Sequence, residues 1–302
     1  MNKKNLILAI ILLVLIGLFY LYQGPFRKWE ASMKKPKNFF SGIDVKKVDR
    51  IIITKNNIKT TLDKNGDKWK VAGTKDFYVK KEVADGIMKE FSDAMSADIE
   101  LISVNKDKKS DFNTDNGVSV ELYQADKQLL GFTIGKQSSD YSGNYVSQLS
   151  GDKTYLIKTL FDNFYSIQDW RDTTIFSSDK NKITKLRFHS PSSDIVIMNN
   201  KGGWEVTSPA KFKANKNKIT GILDIMANLT AQSIPEQNFK GTGLDKNSLI
   251  VEATGDGVNN TLMIGKNNGK NLFYVKKSDS DNIYLISAQQ KNALSINLSN
   301  IK

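Results

Sequence analysis

The sequence predicts an α+β fold in which a mostly antiparallel β-sheet unit, with one to two packed helices per repeat, occurs twice after a single transmembrane helix. Three observations lead to it: an internal repeat, alternation between strand-like and helix-like spacing, and an apolar N-terminal run. Strands interrupted by helices, without regular strand-helix alternation, are typical of this class. The predicted divisions are a signal anchor at 1–23, a juxtamembrane tether at 24–46, and repeats at 47–175 and 176–302.

The internal repeat is carried by hydrophobic and aromatic positions at a constant separation. Trp69 and Trp204 lie 135 residues apart, and the residues around them match at the same offset. Similarity at a fixed spacing indicates a tandem duplication. The other pairs at this offset are Val48 and Ile183, Ile51 and Leu186, Ile53 and Phe188, Val71 and Val206, Phe77 and Phe212, and Ile87 and Ile222. At a slightly shorter offset, Ile134-Gly135, Tyr145-Val146 and Tyr155-Leu156-Ile157 recur as Ile264-Gly265, Tyr274-Val275 and Tyr284-Leu285-Ile286.

Each copy contains the signals of hairpins and of amphipathic helices. Asn56-Asn57 and Asn65-Gly66 separate three short β-rich runs, which predicts three antiparallel strands joined by tight turns. Apolar residues then recur every three or four positions, which predicts a helix packed on the sheet. Strands are predicted at 48–55, 58–63, 68–72, 118–124, 128–135, 144–149 and 154–158, and helices at 79–95, 160–170, 216–229 (after an Asn215 N-cap) and in the C-terminal tail.

The N-terminal region contains 17 uncharged residues, from Leu6 to Tyr22, after Lys3 and Lys4. At about 1.5 Å of rise per residue, this run nearly spans the hydrocarbon core of a bilayer. A cleaved signal peptide needs small residues after its apolar core, and no such pattern follows here. We therefore expect an uncleaved anchor that contacts membrane lipid through residues 6–22.

The charges beside this run give opposing indications of topology. Five basic residues follow it and two precede it, so the positive-inside rule alone places the main domain in the cytosol. A long folded domain translocates despite flanking charge, and two lysines before a single span are the usual arrangement of a signal anchor. We expect a single-pass protein of the cell membrane whose folded domain is extracytoplasmic.

Composition excludes several classes of function. Cysteine is absent, which excludes disulfides, thiolate catalysis, thiolate metal sites and lipid attachment to cysteine. The formal charge is +12, from 44 basic and 32 acidic residues, and only four of the basic residues are arginines. Recognition of phosphates or base edges relies on arginine forks, so nucleic acid is not an expected partner. A solvated lysine-rich surface explains the charge, and the alternative is loose attraction to anionic lipid heads or wall polymers.

The densest basic cluster comprises Lys211, Lys213, Lys216 and Lys218. The aligned stretch of the first copy includes Asp76 and Glu82. The cluster is therefore not a duplicated feature.

The sole histidine, His189, ends a predicted strand in which Leu186 and Phe188 face inward and His189 faces outward. A Ser-His-Asp relay with Ser190 and Asp194 would need separate elements to converge, whereas these residues lie on one hairpin. A single histidine also cannot form a two-histidine metal site. A surface histidine is the preferred interpretation, and a hydrolase is the least favoured function.

Other polar motifs also have structural interpretations. The run Asp63-Lys-Asn-Gly-Asp67 lacks the glycine and the glutamate that a calcium loop requires, so a hairpin turn is predicted. Gly135-Lys136 and Gly265-Lys266 lack the spaced glycine and the Ser or Thr of a phosphate loop, and both are predicted to be turns. Asp111 with Asp115, and Asp279 with Asp281, lie in polar loops where solvation explains them. No catalytic residue, cofactor site or metal site is predicted.

Trp69 and Trp204 are the two candidate binding residues. Each lies in a predicted strand, with valine two residues later, which favours packing in the core. The alternative is that an exposed indole stacks on a sugar ring.

The order of these motifs resembles domain-of-unknown-function family 4340. The likeness rests on Trp69-x-Val71, Phe112-Asn-Thr-Asp115, Thr133-Ile134-Gly135, Trp170-Arg171-Asp172 and Trp204-Glu-Val206-x-x-Pro209. Gly243-Leu244-Asp245 is similar to a Gly-Leu-Asp element of that family, of which the first copy keeps Asp115 alone. The resemblance covers about residues 48–300. It implies a membrane-anchored protein linked with auxiliary subunits of gliding-motility-type ABC transporters, and it transfers no catalytic residue.

Together these patterns predict a non-enzymatic, membrane-anchored extracytoplasmic accessory or scaffold protein linked to an ABC-type transporter or an envelope assembly. The alternative is a module that binds cell-envelope polysaccharide through Trp69 or Trp204. ABC transporter subunits are the expected protein partners.

Overall fold

The computed structural model describes residues 36–200, 203–244 and 249–302, together with Leu12, Val14, Leu15 and Phe19. The chain divides into two units. The first consists of Met1–Ala72 and Lys81–Asp169, and the second of Gly73–Lys80 and Trp170–Lys302. We call Gly73–Lys80 the inserted segment, because it comes from the first copy of the repeat and belongs to the second unit.

The first unit is built on an eight-stranded sheet in which every pair is antiparallel. Asn56, Asn57 and Gly66 have positive φ angles in the first two turns, as tight hairpins require. The strands are β1 (Arg50–Lys55), β2 (Ile58–Asn65), β3 (Lys68–Val71), β4 (Ile99–Ser103), β5 (Val118–Gln124), β6 (Lys127–Gln137), β7 (Asn144–Gln148) and β8 (Thr154–Ile157). Their order across the sheet is β3-β2-β1-β5-β6-β7-β8-β4.

Two helices belong to the first unit: α1 (Lys81–Ser96) and α2 (Asp162–Ser166). The spacing of apolar residues on α1 buries one face, including Ile87 and Phe91. The ring of Phe91 lies 6.4 Å from that of Phe132 on β6 and 5.6 Å from that of Phe164 on α2. Phe91 therefore joins the helix to the sheet and to α2.

The second unit has its own antiparallel eight-stranded sheet and a separate two-stranded one. The large sheet contains β10 (Ile183–Ser190), β11 (Ser193–Asn200), β12 (Gly203–Ser208), β13 (Phe212–Lys213), β15 (Leu249–Gly255), β16 (Val258–Asn267), β17 (Leu272–Lys277) and β18 (Tyr284–Ser287). Its order is β13-β12-β11-β10-β15-β16-β17-β18. The small sheet pairs β9 (Thr174–Ser177) with β14 (Asn228–Thr230).

The helices of the second unit begin with side-chain caps. The Asn215 side chain accepts hydrogen bonds from the backbone of Asn217 and Lys218 at the start of α3 (Lys216–Ala227), which confirms the predicted N-cap. A capping box between Ser287 and Gln290 begins α4 (Ala288–Leu294), the predicted tail helix.

The predicted α+β class, the antiparallel pairing and the internal repeat are confirmed. The predicted strand at 118–124 coincides with β5, whereas β4 was not predicted. The helix predicted at 160–170 is too long. It is limited to α2 because Phe161 has ψ 55° and Ile167 is extended with ψ 125°, both outside the helical region.

The domain boundaries differ from the predicted repeats at 47–175 and 176–302. The inserted segment belongs to the first copy by sequence but to the second unit by structure, and the remainder of the second unit begins at Trp170. Part of the predicted tether at 24–46 also folds, since Phe40 is 1% exposed and its ring packs 4.8 Å from that of Phe132. This part folds because burial of two phenyl rings is favourable, whereas a solvated tether would leave them in contact with water.

The predicted anchor at 1–23 lies outside the described residues, apart from four apolar positions. Those four, including Leu12 and Phe19, are helical and exposed. Among the residues that the structure describes, we find no helix with the length and apolar character that a membrane crossing requires.

Candidate functional site

Phe77 of the inserted segment lies in the hydrophobic core of the second unit and is 1% exposed. Its ring meets the ring of Tyr284 edge-on, with centroids 5.5 Å apart and planes at 73°. The guanidinium carbon of Arg171 lies 5.5 Å from the Phe77 centroid. Edge-to-face pairs and cations over rings are both favourable aromatic geometries. The core of the second unit therefore includes an aromatic side chain from the first copy.

Hydrogen bonds to the main chain hold the inserted segment in place. The backbone N–H of Asp172 donates to the carbonyl of Tyr78 at 2.7 Å. The side-chain amide of Asn282 donates to the carbonyl of Asp76 at 3.1 Å. These bonds flank Phe77 in the sequence, so they fix the backbone on both sides of the buried ring.

An open cleft of about 460 Å³ lies next to this segment in the second unit. One wall comes from the inserted segment and the other from the connection between β17 and β18. The lining residues are Lys75, Asp76, Lys277, Asp279, Ser280, Asp281 and Asn282. The cleft is the candidate functional site because it joins chemistry-bearing residues from both copies.

Two carboxylates at this cleft, those of Asp279 and Asp281, each have a lysine partner. Lys277 Nζ lies 3.5 Å from Asp279 Oδ1, and Lys276 Nζ lies 3.4 Å from Asp281 Oδ1. Lys75 Nζ also donates to the main-chain carbonyl of Asp281 at 3.5 Å. Because the carboxylates of Asp279 and Asp281 are 70% and 76% exposed, these ion pairs contribute little to stability. The prediction that solvation explains this carboxylate pair agrees with their exposure.

Asn282 is the buried polar residue of the cleft, at 5% exposure. Its Nδ2 donates to the Asp76 carbonyl, which sets the orientation of the amide. Its Oδ1 is buried and has no hydrogen-bond partner in the described part of the chain. Burial also raises the pKa of the neighbouring Tyr284 hydroxyl above its usual value. The cleft thus combines a buried amide oxygen with exposed carboxylates that pair with lysines.

This arrangement offers cationic, anionic and neutral polar groups to a ligand. Ser280 supplies the hydroxyl group of the cleft, and its Oγ accepts a hydrogen bond from the backbone N–H of Asn282 at 3.1 Å. Within 36–200, 203–244 and 249–302, no group of three or more His, Asp or Glu side chains is placed to hold a metal ion. The lysines would serve as donors to an anionic or hydroxylated ligand, and the aspartates would serve as acceptors.

His189 lies on the surface at the end of β10, as its alternation with Phe188 predicts. Its Nδ1 is 3.8 Å from Asp194 Oδ1, beyond hydrogen-bond distance. Asp194 instead accepts two hydrogen bonds from Arg187, at 2.9 and 3.0 Å. These bonds lower the pKa of Asp194 below its usual value. The carboxylate is therefore held by arginine, away from a relay with the imidazole.

The two tryptophans have different environments. Trp69 on β3 is 5% exposed, whereas Trp204 on β12 is half-buried and packs against the core of the second unit. A buried indole offers no free face for a sugar, so Trp69 has the geometry of a core residue. Trp204 keeps part of its surface accessible.

The Gly135-Lys136 and Gly265-Lys266 pairs lie within strands β6 and β16, so their prediction as turns is wrong. Each occurs where the pairing register shifts, between Ile134 and Gln137 and between Ile264 and Asn267. A Cβ at Gly135 would overlap the carbonyl of Phe112, and one at Gly265 would overlap that of Thr242. Glycine is required because another backbone segment crosses the strand closely.

The segment that crosses Gly265 includes the start of the Gly-Leu-Asp element. The corresponding segment of the first copy has the same left-handed turn followed by a buried residue. Gly243 has φ +71° and is followed by Leu244, which is 3% exposed. Asn113 has φ +56° and is followed by Thr114, which is 1% exposed. Asparagine tolerates the left-handed region better than most residues, which preserves the turn without glycine. Asp115 is exposed, and Asp245 lies outside the described residues.

Glu90 on α1 is a titratable group that the sequence did not single out. Its Oε1 accepts hydrogen bonds from the backbone and side-chain nitrogens of Asn163, at 3.0 and 2.8 Å. Its Oε2 is buried and has no hydrogen-bond partner in the part of the chain described. Burial raises the pKa of Glu90 despite the Asn163 donors. Glu90 lies four residues after Gly86, so both are on the same face of α1, and Gly86 faces Asn163. This spacing is the sequence feature that could have identified Glu90.

Comparison with known proteins matches the chain to one family model in two consecutive segments. The model is described as Domain of unknown function (DUF4340), and it covers residues 69–203 and 204–302. The segments begin at the two aligned tryptophans, Trp69 and Trp204. The same comparisons give no match to a curated protein and none to a solved structure.

Proposed function

Because the chain belongs to the DUF4340 family, whose description carries no activity, we propose a function from the chemistry of its side chains. The protein is a non-enzymatic accessory or scaffold protein, anchored in the cell membrane, with its folded domain outside the cytoplasm. It serves an ABC-type transporter or an envelope assembly. Its partners are transporter subunits, and it needs no cofactor.

The observation that supports a scaffold most strongly is the use of the inserted segment. Phe77 and its flanking hydrogen bonds make a part of the first copy necessary to the second unit. A fold whose second unit takes a core residue from the first copy is suited to a structural role. The carboxylates of Asp279 and Asp281 at the cleft each have a lysine partner, and this polar chemistry supports binding over turnover.

Membrane anchoring is supported by the sequence of the N-terminal region. The uncharged run from Leu6 to Tyr22 has the length and flanking lysines of a signal anchor. The absence of cysteine leaves packing as the source of stability in an oxidising compartment. Both features are compatible with a domain held outside the cytoplasm.

Co-purification tests the partner. The tagged full chain is extracted from membranes in mild detergent, and the proteins that accompany it are identified by mass spectrometry. We expect ATP-binding and membrane-spanning subunits of an ABC transporter, enriched over a control in which an unrelated single-span protein carries the same tag. Equal recovery from the two samples would count against the proposal.

A reporter fusion tests the orientation. A reporter that is active in the cytosol alone, fused after Lys302, should be inactive, and one that is active outside alone should give signal. The reverse pair of results would place the domain in the cytoplasm.

Binding of envelope polysaccharide is the second candidate function, favoured by the partial exposure of Trp204. An indole with one accessible edge or face stacks on sugars, whereas the buried Trp69 does not. Sedimentation with isolated cell-wall material should then depend on Trp204. If Trp204→Ala sediments as the parent protein does, this second function is excluded at that site.

A further inference from the structure

One end of the second unit carries a group of lysines that we call the lysine patch: Lys211, Lys213, Lys216, Lys218 and Lys302. The first four lie within eight consecutive residues that run from the turn before β13 into α3, and all are exposed. Lys302 joins them in space, because its Nζ lies 5.3 Å from the ring of Phe212, and the backbone of Asn215 donates to the Ile301 carbonyl.

The lysine patch is not neutralised by neighbouring carboxylates. In the part of the chain that the structure describes, no ion pair within 4.0 Å includes any of its five lysines. Glu205 on β12 lies opposite Lys213 on β13 in the strand register, and its Oε2 accepts a hydrogen bond from the Asn200 side chain at 3.0 Å. The charge of the patch is therefore directed to solvent.

Two lysines of the patch lie at the N-terminal end of α3, where positive charge is unfavourable. Lys216 and Lys218 occupy the first turn, which contains no acidic residue. The N-terminal end of a helix has a partial positive charge, so carboxylates stabilise it and cations destabilise it. The first turn of α1 follows the usual rule and contains Glu82. A local rule broken without a structural gain is typical of a functional surface.

The two copies differ in charge at this place. Residues 211–218 contain four lysines and no acidic residue, a net charge of +4. The aligned residues 76–83 contain Lys80 and Lys81 against Asp76 and Glu82, a net charge of zero. Lys81 is further paired with Asp85 at 2.5 Å. The positive charge thus belongs to the second copy and not to the repeat itself.

We propose that the lysine patch docks on the anionic headgroups of a lipid bilayer. Lysine is a compact, hydrated point charge that suits a diffuse anionic surface, whereas recognition of one defined phosphate favours arginine forks. Each lysine near an anionic bilayer strengthens binding by about fivefold. The proposal rests on the membrane location given under the proposed function, because the predicted anchor would confine the chain to the surface of a bilayer.

The absence of cysteine makes a site-specific test simple. The full chain carrying Asn217→Cys, which lies within the patch, is labelled with a fluorophore and reconstituted in liposomes that contain a headgroup-attached quencher. Ser193→Cys, exposed on the β10–β11 hairpin, provides the control label. We expect phosphatidylglycerol to increase quenching at position 217 over purely zwitterionic liposomes, and salt to reverse the increase. Equal quenching in the two lipids would overturn the proposal.

Two lysine-to-glutamine sets separate local charge from net charge. The first neutralises Lys211, Lys213, Lys216 and Lys218, and the second neutralises four exposed lysines of the first unit, Lys59, Lys106, Lys127 and Lys153. The first set should remove the lipid-dependent quenching, and the second should retain it. If both sets remove it, the effect is one of total charge and the proposal fails.

Two further measurements separate a failed patch from a failed anchor and from a different occupant. Flotation with zwitterionic liposomes reports the anchor alone. If the chain does not float, the proposed anchoring fails, and salt-sensitive flotation with phosphatidylglycerol still tests the patch. Polyphosphate in solution tests a soluble polyanion. A response of the position 217 label to polyphosphate, without a response to the anionic bilayer, would overturn the proposal.

A last variant tests the conflict between charge and helix stability. Lys216→Glu with Lys218→Glu places carboxylates in the first turn of α3 and completes a capping box with Asn215. We expect a higher Tm together with loss of the lipid-dependent quenching. A lower Tm with retained quenching would show that these lysines have a structural role.

Discussion

The two units use the same aromatic contact but take its partner from different parts of the chain. In the first unit Tyr155 meets Phe39 edge-on, with centroids 5.6 Å apart and planes at 64°. In the second unit the aligned Tyr284 meets Phe77 at 5.5 Å and 73°. The position that aligns with Phe39 at the 135-residue offset is Thr174. The second copy lacks its own phenyl ring at this position, and the inserted segment supplies one.

Features that depend on backbone geometry have changed less between the copies. Asp44 and Asp179 each cap a short 3-10 turn by accepting a backbone hydrogen bond, 135 residues apart. Gly135 and Gly265 each lie beneath a crossing backbone segment. Where two backbone segments approach closely, glycine alone fits. A space in a hydrophobic core, in contrast, can be filled by a side chain from any neighbouring segment. The two copies have therefore kept the same backbone framework, while the side chains that fill their cores have changed.

Removal of the Phe77 ring should have the largest effect on stability. Phe77→Ala should lower the free energy of unfolding of the second unit by about 4 kcal/mol, because it deletes a buried phenyl and leaves a cavity. The aligned Phe212 is half-buried, so Phe212→Ala should lower it by about 2 kcal/mol. Urea unfolding of the two variants measures both values. Equal losses would mean that the inserted segment has no special role.

Trp69 and Trp204 occupy aligned positions but differ in burial, so their substitutions should differ in effect. Trp69→Ala should reduce the free energy of unfolding by about 3 kcal/mol or more, and Trp204→Ala by about half as much, since Trp204 is partly exposed. Thermal unfolding of each variant ranks them. A larger loss at Trp204 would contradict the burial that distinguishes the two indoles.

The glycine pair tests what the copies retain. Gly135→Ala and Gly265→Ala should each reduce the free energy of unfolding by about 2–3 kcal/mol, because the new Cβ overlaps backbone atoms that cannot move aside. Gly221→Ala is the matched control. Gly221 is exposed within α3 with no atom near its Cβ position, so alanine there should stabilise by about 0.5–1 kcal/mol. A stabilised Gly265→Ala variant would contradict the crossing described here.

The buried carboxyl of Glu90 predicts the smallest effect, a dependence of stability on pH. Its pKa is raised in the folded protein, so between the ordinary glutamate pKa of about 4.3 and the raised value the folded state binds more protons. Its contribution is fully present below that window and falls as the pH rises through the folded pKa. Glu90→Gln should remove this fall, as urea midpoints at a series of pH values would show. Glu236→Gln, at an exposed position, should leave the profile as in the parent protein.

Much of the fold could be predicted from the sequence because it depends on local signals. The Asn-Asn and Asn-Gly turns fixed the first hairpins, alternation placed Leu186 and Phe188 inward, and the side chain of Asn215 began α3. The constant offset between the tryptophans gave the repeat. Each of these signals acts over a few residues or through direct similarity.

The remainder depends on contacts between residues distant in the sequence. The phenyl ring of Phe77 aligns with Phe212, so similarity alone assigns it to its own copy, although its ring packs in the second unit. Turns are predicted at Gly135 and Gly265 because a glycine followed by a lysine does not indicate that another backbone segment crosses the strand at that position. The cleft joins Asp76 to Asn282 across 206 residues, and no local pattern predicts that pairing.

Hydrogen exchange of the full chain carrying Phe77→Ala tests most directly whether the inserted segment belongs to the second unit. Peptides are compared between this variant and the parent protein. Faster exchange is predicted in β17 and β18, which flank the site of the lost ring, with β1 and β5 of the first unit unchanged. Faster exchange in β1 and β5, with β17 and β18 still protected, would contradict the account.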